Sequence, residues 1–347
     1  MKLSRPSGMR TAARRKAALV MSLLTAALVG LFLFSFVIGR YDVPVSEVVR
    51  ILLGQIFPID QTWAANMERA ILHIRLPRIA LACLVGCSLS LAGTAYQSVF
   101  QNPMAAPDIL GASSGACFGA ALAILLGLSS AGVTGLAFVF SMVTVGLVYL
   151  ISIRAKGVRT VGILLAGVMV SSLFNAATSY IKLVADPSNQ LPAITYWMMG
   201  SLSGATMKQV GFAVIPMTIG LIPLFLVRWR MNLLTLGDDE ARTMGVNTGR
   251  LRLIVVVAST LITAASVSVS GLIGWIGLVV PHLCRKLVGN DYRVLTPCSM
   301  LLGATFMLAV DDLSRNLQAT EIPIGILTAV IGAPFFLYLI TRKETTL

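Results

Sequence analysis

The residues that could do chemistry in this chain are few and scattered. His73 and His282 are its only histidines, and Cys83, Cys87, Cys117, Cys284 and Cys298 are its five cysteines. Each thiol lies inside or at the end of an apolar run, where cysteine behaves as a small hydrophobe. No C-x-x-C, H-E-x-x-H or Ser/His/Asp arrangement occurs, so neither a metal nor a cofactor is expected. The chain also has no Gly-Lys pair. It therefore lacks the G-x-x-x-x-G-K-[ST] phosphate cradle and cannot be its own P-loop ATPase.

What remains is charge at particular positions. Arg75 and Arg78 are three apart and share a face on a helical turn. Their guanidinium forks suit carboxylates on a partner, or they anchor a helix at a membrane surface by snorkelling. Arg315 follows Asp312 by three residues, which allows an intrahelical pair. Asp238, Asp239 and Glu240 open a polar run that Gly245 can close, since acids favour a helix start and glycine its end. Asn102-Pro103 ends a helix, because proline disfavours helix at the residue before it, and Asp108 can cap the next one.

The elements that hold these residues are membrane spans. Of 347 residues, 56% are hydrophobic and 12% charged, about half the ~25% charged content of a soluble domain. That excludes a disordered chain, a disulfide-rich mini-protein and an ordinary soluble enzyme. Residues free of Asp, Glu, Lys and Arg run over 17–39, 79–107, 109–153, 160–181, 209–227, 253–284, 294–310 and 322–341. At ~20 residues per span, 109–153 holds two helices with a turn at Ser129-Ser130-Ala131-Gly132. The run 253–284 holds one span and a short one, broken at Gly271 and Gly274. The expectation is an all-α polytopic membrane protein of ten helices.

Basic residues orient it. Segments 1–16, 154–159, 228–252, 285–293 and 342–347 carry 19 of the 27 Lys and Arg residues, which by the positive-inside rule places them and both termini in the cytoplasm. That topology absorbs most of the net charge of +13 without a nucleic acid. The domain organisation is then a basic N-terminus 1–16, one transmembrane domain 17–341 and a tail 342–347. Within the domain, 42–57 is an outer amphipathic segment and 228–252 the main cytoplasmic loop. Gly86, Ser90 and Gly93, and Gly111, Gly115 and Gly119, form small-residue stripes suited to close helix approach. Ionisable groups within the spans are scarce, which disfavours an ion-coupled secondary carrier, the alternative from another class.

Several stretches together carry a resemblance. They are Arg75-Leu76-Pro77-Arg78, Asn102-Pro103-Met104-Ala105-Ala106-Pro107-Asp108-Ile109-Leu110-Gly111, Tyr196-Trp197-Met198-Met199-Gly200, and Leu236-Gly237-Asp238-Asp239-Glu240-Ala241-Arg242-Thr243-Met244-Gly245. Further on come Gly274 through His282 with Arg285, Asp311 through Arg315, and Glu321 through Pro334. The chain resembles the permease family of type II ABC importers for iron chelates, haem and cobalamin. The resemblance implies a subunit that performs no bond chemistry and dimerises with an identical or paralogous permease. It implies ABC ATPase subunits below and a substrate-binding protein outside, in the cytoplasmic (inner) membrane. It assigns docking of the binding protein to Arg75, Arg78 and Arg315. It assigns coupling to the ATPase to Leu236, Gly237, Asp238, Asp239, Glu240, Ala241, Arg242 and Gly245. Asn102, Met104 and Thr160 become gate residues of the pathway. The implied cargo is a ferric siderophore, with haem or cobalamin as alternatives.

Overall fold

The computed structural model describes residues 7–58, 60–154 and 159–341. Every regular element among them is helical. Helix α1 (Ser7–Val37) is followed by α2 (Val45–Gly54), which buries Val48 and Ile51 and leaves Val45, Val49 and Leu53 exposed. Helix α2 lies within the segment 42–57 for which the sequence suggests an amphipathic helix. Helix α3 (Ala65–Arg69) continues through a π-helical turn, Ala70–Arg75, into α4 (Leu76–Val99). Pro77 explains the widened turn: its ring would strike the carbonyl of residue 73 in a regular α-helix.

A 3-10 turn, Pro107–Leu110, leads to α5 (Ala112–Leu125), then α6 (Ser130–Arg154) and α7 (Arg159–Val184). The connection between α5 and α6 turns at Gly127, whose φ is +67°. The expected turn at residues 129–132 is thus shifted, and Gly132 lies inside α6. Helices α8 (Gln190–Met198), α9 (Met207–Leu234), α10 (Asp238–Thr243) and α11 (Thr248–Ser270) follow. The chain closes with α12 (Ile276–Val288), α13 (Tyr292–Asn316) and α14 (Ile324–Thr341).

All ten expected helices are present. Seven are long and apolar enough to cross a bilayer: α1, the continuous α3–α4 rod, α6, α7, α9, α11 and α13. At ~1.5 Å per residue, the 14 residues of α5 and the 13 of α12 fall short of a ~30 Å core. Helix α1 begins at Ser7, within the basic N-terminal stretch 1–16. Residues 1–6, 155–158 and the proposed tail 342–347 lie outside the described residues.

Helices α4 and α11 form the buried axis, with α13, α9 and α12 packed on α4 and α6 on α11. The small-residue stripes set these contacts. A Cβ on Gly86 would collide with the carbonyl of Gly303 on α13, and one on Gly93 with the carbonyl of Gly277 on α12. Gly115 and Gly119 meet backbone atoms of α6 in the same way. Lipid tails are as apolar as leucine, so close backbone approach supplies much of the packing attraction.

Candidate functional site

At the end of the bundle where α4 begins, called here the rim, the charged residues converge. Asp311 accepts from Arg78 Nε at 2.8 and 3.2 Å, one bond per carboxylate oxygen. Arg78 Nη1 reaches both oxygens of Glu321 at 2.9 Å. Arg315 lies 3.3 Å from Asp311 and also pairs with Asp312. Ser35 of α1 donates to Asp312 at 2.6 Å. Arg75 donates to the carbonyls of Phe36 in the last turn of α1 and of Tyr41 just beyond it, and Arg40 to those of Arg315 and Gln318. Four guanidiniums and three carboxylates thus tie α1, α4, α13 and the strap before α14 together.

Arg75, Arg78 and Arg315 are 4%, 5% and 6% exposed and already have partners in this chain, rather than standing free at the surface. The i,i+3 pair of Asp312 with Arg315 is present. Glu321, 243 residues from Arg78 in sequence, could not be linked to it by spacing. Its side chain is 23% exposed, whereas that of Asp311 is fully covered.

Halfway down the bundle two short helices meet at broken backbone. Gly277 packs against Pro107 and the carbonyl of Leu89, which lies mid-way along α4. The chain therefore climbs from Asn102, past the far end of α4, back to mid-depth before α5 begins. Asp108 caps that start, accepting from the backbone N–H of Ser113 at 3.0 Å. Across from it Trp275, with φ +70°, leads into α12. A cavity of about 70 Å³ separates them, lined by Leu89, Asp108, Ser113, Thr263 and Trp275 among others. Sequence inspection placed Asp108 as a cap but missed its depth, because nothing in the local pattern shows that the connection re-enters the bundle.

The opposite end, richer in arginine and lysine, holds the remaining candidates. The polar stretch 228–252 is mostly helix: α9 extends to Leu234 and α11 starts at Thr248, where Asn247 caps it through the N–H of Arg250. Between them α10 is a six-residue helix bounded by Gly237 and Gly245, whose φ values of +117° and +78° favour glycine. Ala241 is fully buried under it. Asp239, Glu240 and Arg242 face outward, flanked by Leu236 and Met244 at 49% and 53% exposure. Asn102 and Met104 sit at an exposed turn where Asn102 Oδ1 accepts from the N–H of Met104 at 2.9 Å. Thr160 lies in the first turn of α7; its side chain, and that of Asp238, lie outside the described residues.

One further feature escaped the sequence reading. On α7, Ser172, Asn175 and Ser179 are exposed along one face. Their spacing of three and four was visible as a pattern. Only the packing shows that the stripe is uncovered; the hydroxyls of Ser172 and Ser179 donate to the carbonyls of Val168 and Asn175 one turn back, which leaves the Asn175 amide as the group that calls for water or a partner.

Residues 25–342 match the family described as the FecCD transport family. The chain belongs to that family. It is 39% identical over 326 residues to the molybdate import system permease protein MolB of Haemophilus influenzae, covering 92% of this chain and 95% of that one. It is 42% identical over 280 residues to a permease protein assigned to an iron chelatin transport system in Helicobacter pylori, covering 81% and 85%. A solved ABC transporter assigned to the metal-chelate type and captured facing inward superposes with a TM-score of 0.83 at 38% identity, covering 92% of this chain and 98% of that one. The FecCD chain described here is a multi-pass membrane permease of an ABC importer, and its helical architecture is the type II permease fold.

Proposed function

We propose that this permease carries a metal chelate, a ferric siderophore first, with haem and cobalamin as alternative cargoes. A substrate-binding protein would deliver it at the rim, and two ATPase subunits would drive it from the basic end. The permease would pair with a second copy or a paralogue in the cytoplasmic membrane, both termini facing the cytoplasm. Helix α10 is the observation that carries this reading. It is too short to contribute to the bundle, yet it buries Ala241 firmly and presents acidic, basic and apolar side chains outward. A small helix braced from beneath suits transmission of a rigid-body change. Residues 236–242 and Gly245 are therefore assigned to ATPase coupling.

At the rim, Arg75, Arg78 and Arg315 are assigned to binding-protein docking in an altered form. Because they are covered, an incoming acidic group would exchange with Glu321, the most accessible of their carboxylates. Asn102, Met104 and Thr160 are proposed as gate residues, with the Ser172, Asn175 and Ser179 face of α7 lining the path. The relatives leave the cargo open, since proteins named for molybdate and for iron chelatin are about equally similar. An ion-coupled carrier is not favoured by the family.

Purification from native membrane in mild detergent should recover an ATPase in one-to-one ratio with the permease. Proteoliposomes of that complex should accumulate ferric siderophore only with ATP and the binding protein. Accumulation by the permease alone, without nucleotide hydrolysis, would refute the assignment.

A further inference from the structure

Arg285 sits in the last turn of α12 at the basic end. Its Nη2 donates to Gln97 Oε1 at 2.5 Å. Its Nη1 is buried and has no hydrogen-bond acceptor, and among the described residues no carboxylate pairs with it. The contrast with the rim is direct: there Arg78 and Arg315 have carboxylates of this chain, whereas Arg285 has a neutral amide oxygen and, among the described residues, no carboxylate.

Arg285 lines a cleft of about 320 Å³ whose other polar walls are Gln97, Gln101, Asn102, Thr235, Asn290 and Tyr292. None of these is acidic. The Gln101 amide is committed to the carbonyl of Leu234 at 2.7 Å. Asn102 uses its Oδ1 on the N–H of Met104, so its Nδ2 remains as a donor. The carboxylate next in sequence to Tyr292, Asp291, is engaged by α13 and α9 through its Oδ1. It accepts from the N–H of Arg293 at 3.0 Å and from Asn232 Nδ2 at 2.9 Å. The cleft therefore presents donors and one positive charge.

A water in the cleft would not balance the charge, and the space exceeds by far the ~30 Å³ of one water. A tetrahedral oxyanion in the cleft would balance it, because a guanidinium is a preferred partner of phosphate oxygens. We infer that the cleft around Arg285 binds a phosphate-type oxyanion, either free phosphate or the headgroup of an anionic lipid. The assignment does not depend on the cargo or on the coupling role of α10.

The test uses the full-length chain in detergent. One arm is equilibrium dialysis against radiolabelled inorganic phosphate. The other is native mass spectrometry after exchange into micelles doped with phosphatidylglycerol. One-to-one binding is expected in at least one arm, reduced tenfold or more in Arg285→Met. Phosphate retention identifies a free oxyanion, and phosphatidylglycerol retention a lipid headgroup. Asn102→Asp, which sets a carboxylate in the cleft wall, should abolish binding too and serves if Arg285→Met fails to fold. Binding in neither arm, or binding unchanged in a folded variant, overturns the site.

Discussion

Replacing Asp311 by Asn tests whether the rim network holds the bundle together. The substitution keeps the shape and removes the charge. Asp311 is fully buried and faces two guanidiniums, Arg78 Nε at 2.8 Å and Arg315 Nε at 3.3 Å. Two unit charges whose centres lie about 4 Å apart interact by roughly 4 kcal/mol at an effective dielectric constant of 20. Breaking a buried pair from one side costs about 3–5 kcal/mol, because the partner is left charged and uncompensated. Glu321 still holds Arg78 and Asp312 still holds Arg315, so the lower end of that range, about 3 kcal/mol, is the expected loss. The assay is reversible denaturation in mixed micelles, comparing wild type, Asp311→Asn, Arg78→Met and the double variant. The double variant should recover part of the loss, because neither Asp311 nor Arg78 is then left facing an absent partner, and Glu321, released from Arg78, is exposed enough to be hydrated. An Asp311→Asn midpoint equal to wild type, or a double variant whose loss is the plain sum of the two singles, would refute the reasoning.

Ser35→Ala removes the 2.6 Å bond from α1 to Asp312 and should cost about 1.5–3 kcal/mol, the range for hydrogen bonds to charged groups, read in the same denaturation assay. Gly93→Leu forces a side chain into the carbonyl of Gly277. Its folded yield by size-exclusion chromatography should fall sharply, while Gly135→Leu, where a Cβ meets nothing within 4 Å, should be tolerated. Ala241→Glu sets a charge under α10 at a fully buried position; it should abolish co-purification with the ATPase and leave the rim's affinity for the binding protein unchanged.

The order and number of helices were legible in the sequence because lipid demands long runs without charge, and such runs can be counted. Even the short helix after Gly271 was visible, since glycine punctuates an apolar stretch too long for one span. Helix α10 was legible for a local reason as well: acids at its start and Gly245 at its close act within one turn. What the linear pattern could not supply was which charges would meet. Arg78 and Arg75 looked like surface forks because their neighbours in sequence are apolar. Folding brings Asp311, Glu321 and the end of α1 onto them from more than 200 residues away for the acids. The mid-depth position of Asp108 and the unbalanced charge of Arg285 are likewise products of packing. A residue's type and spacing fix what it is able to bind, but its partner and its distance from water depend on helices remote in the chain, so only the tertiary structure decided that Arg78 and Arg315 meet carboxylates while Arg285, among the described residues, meets none.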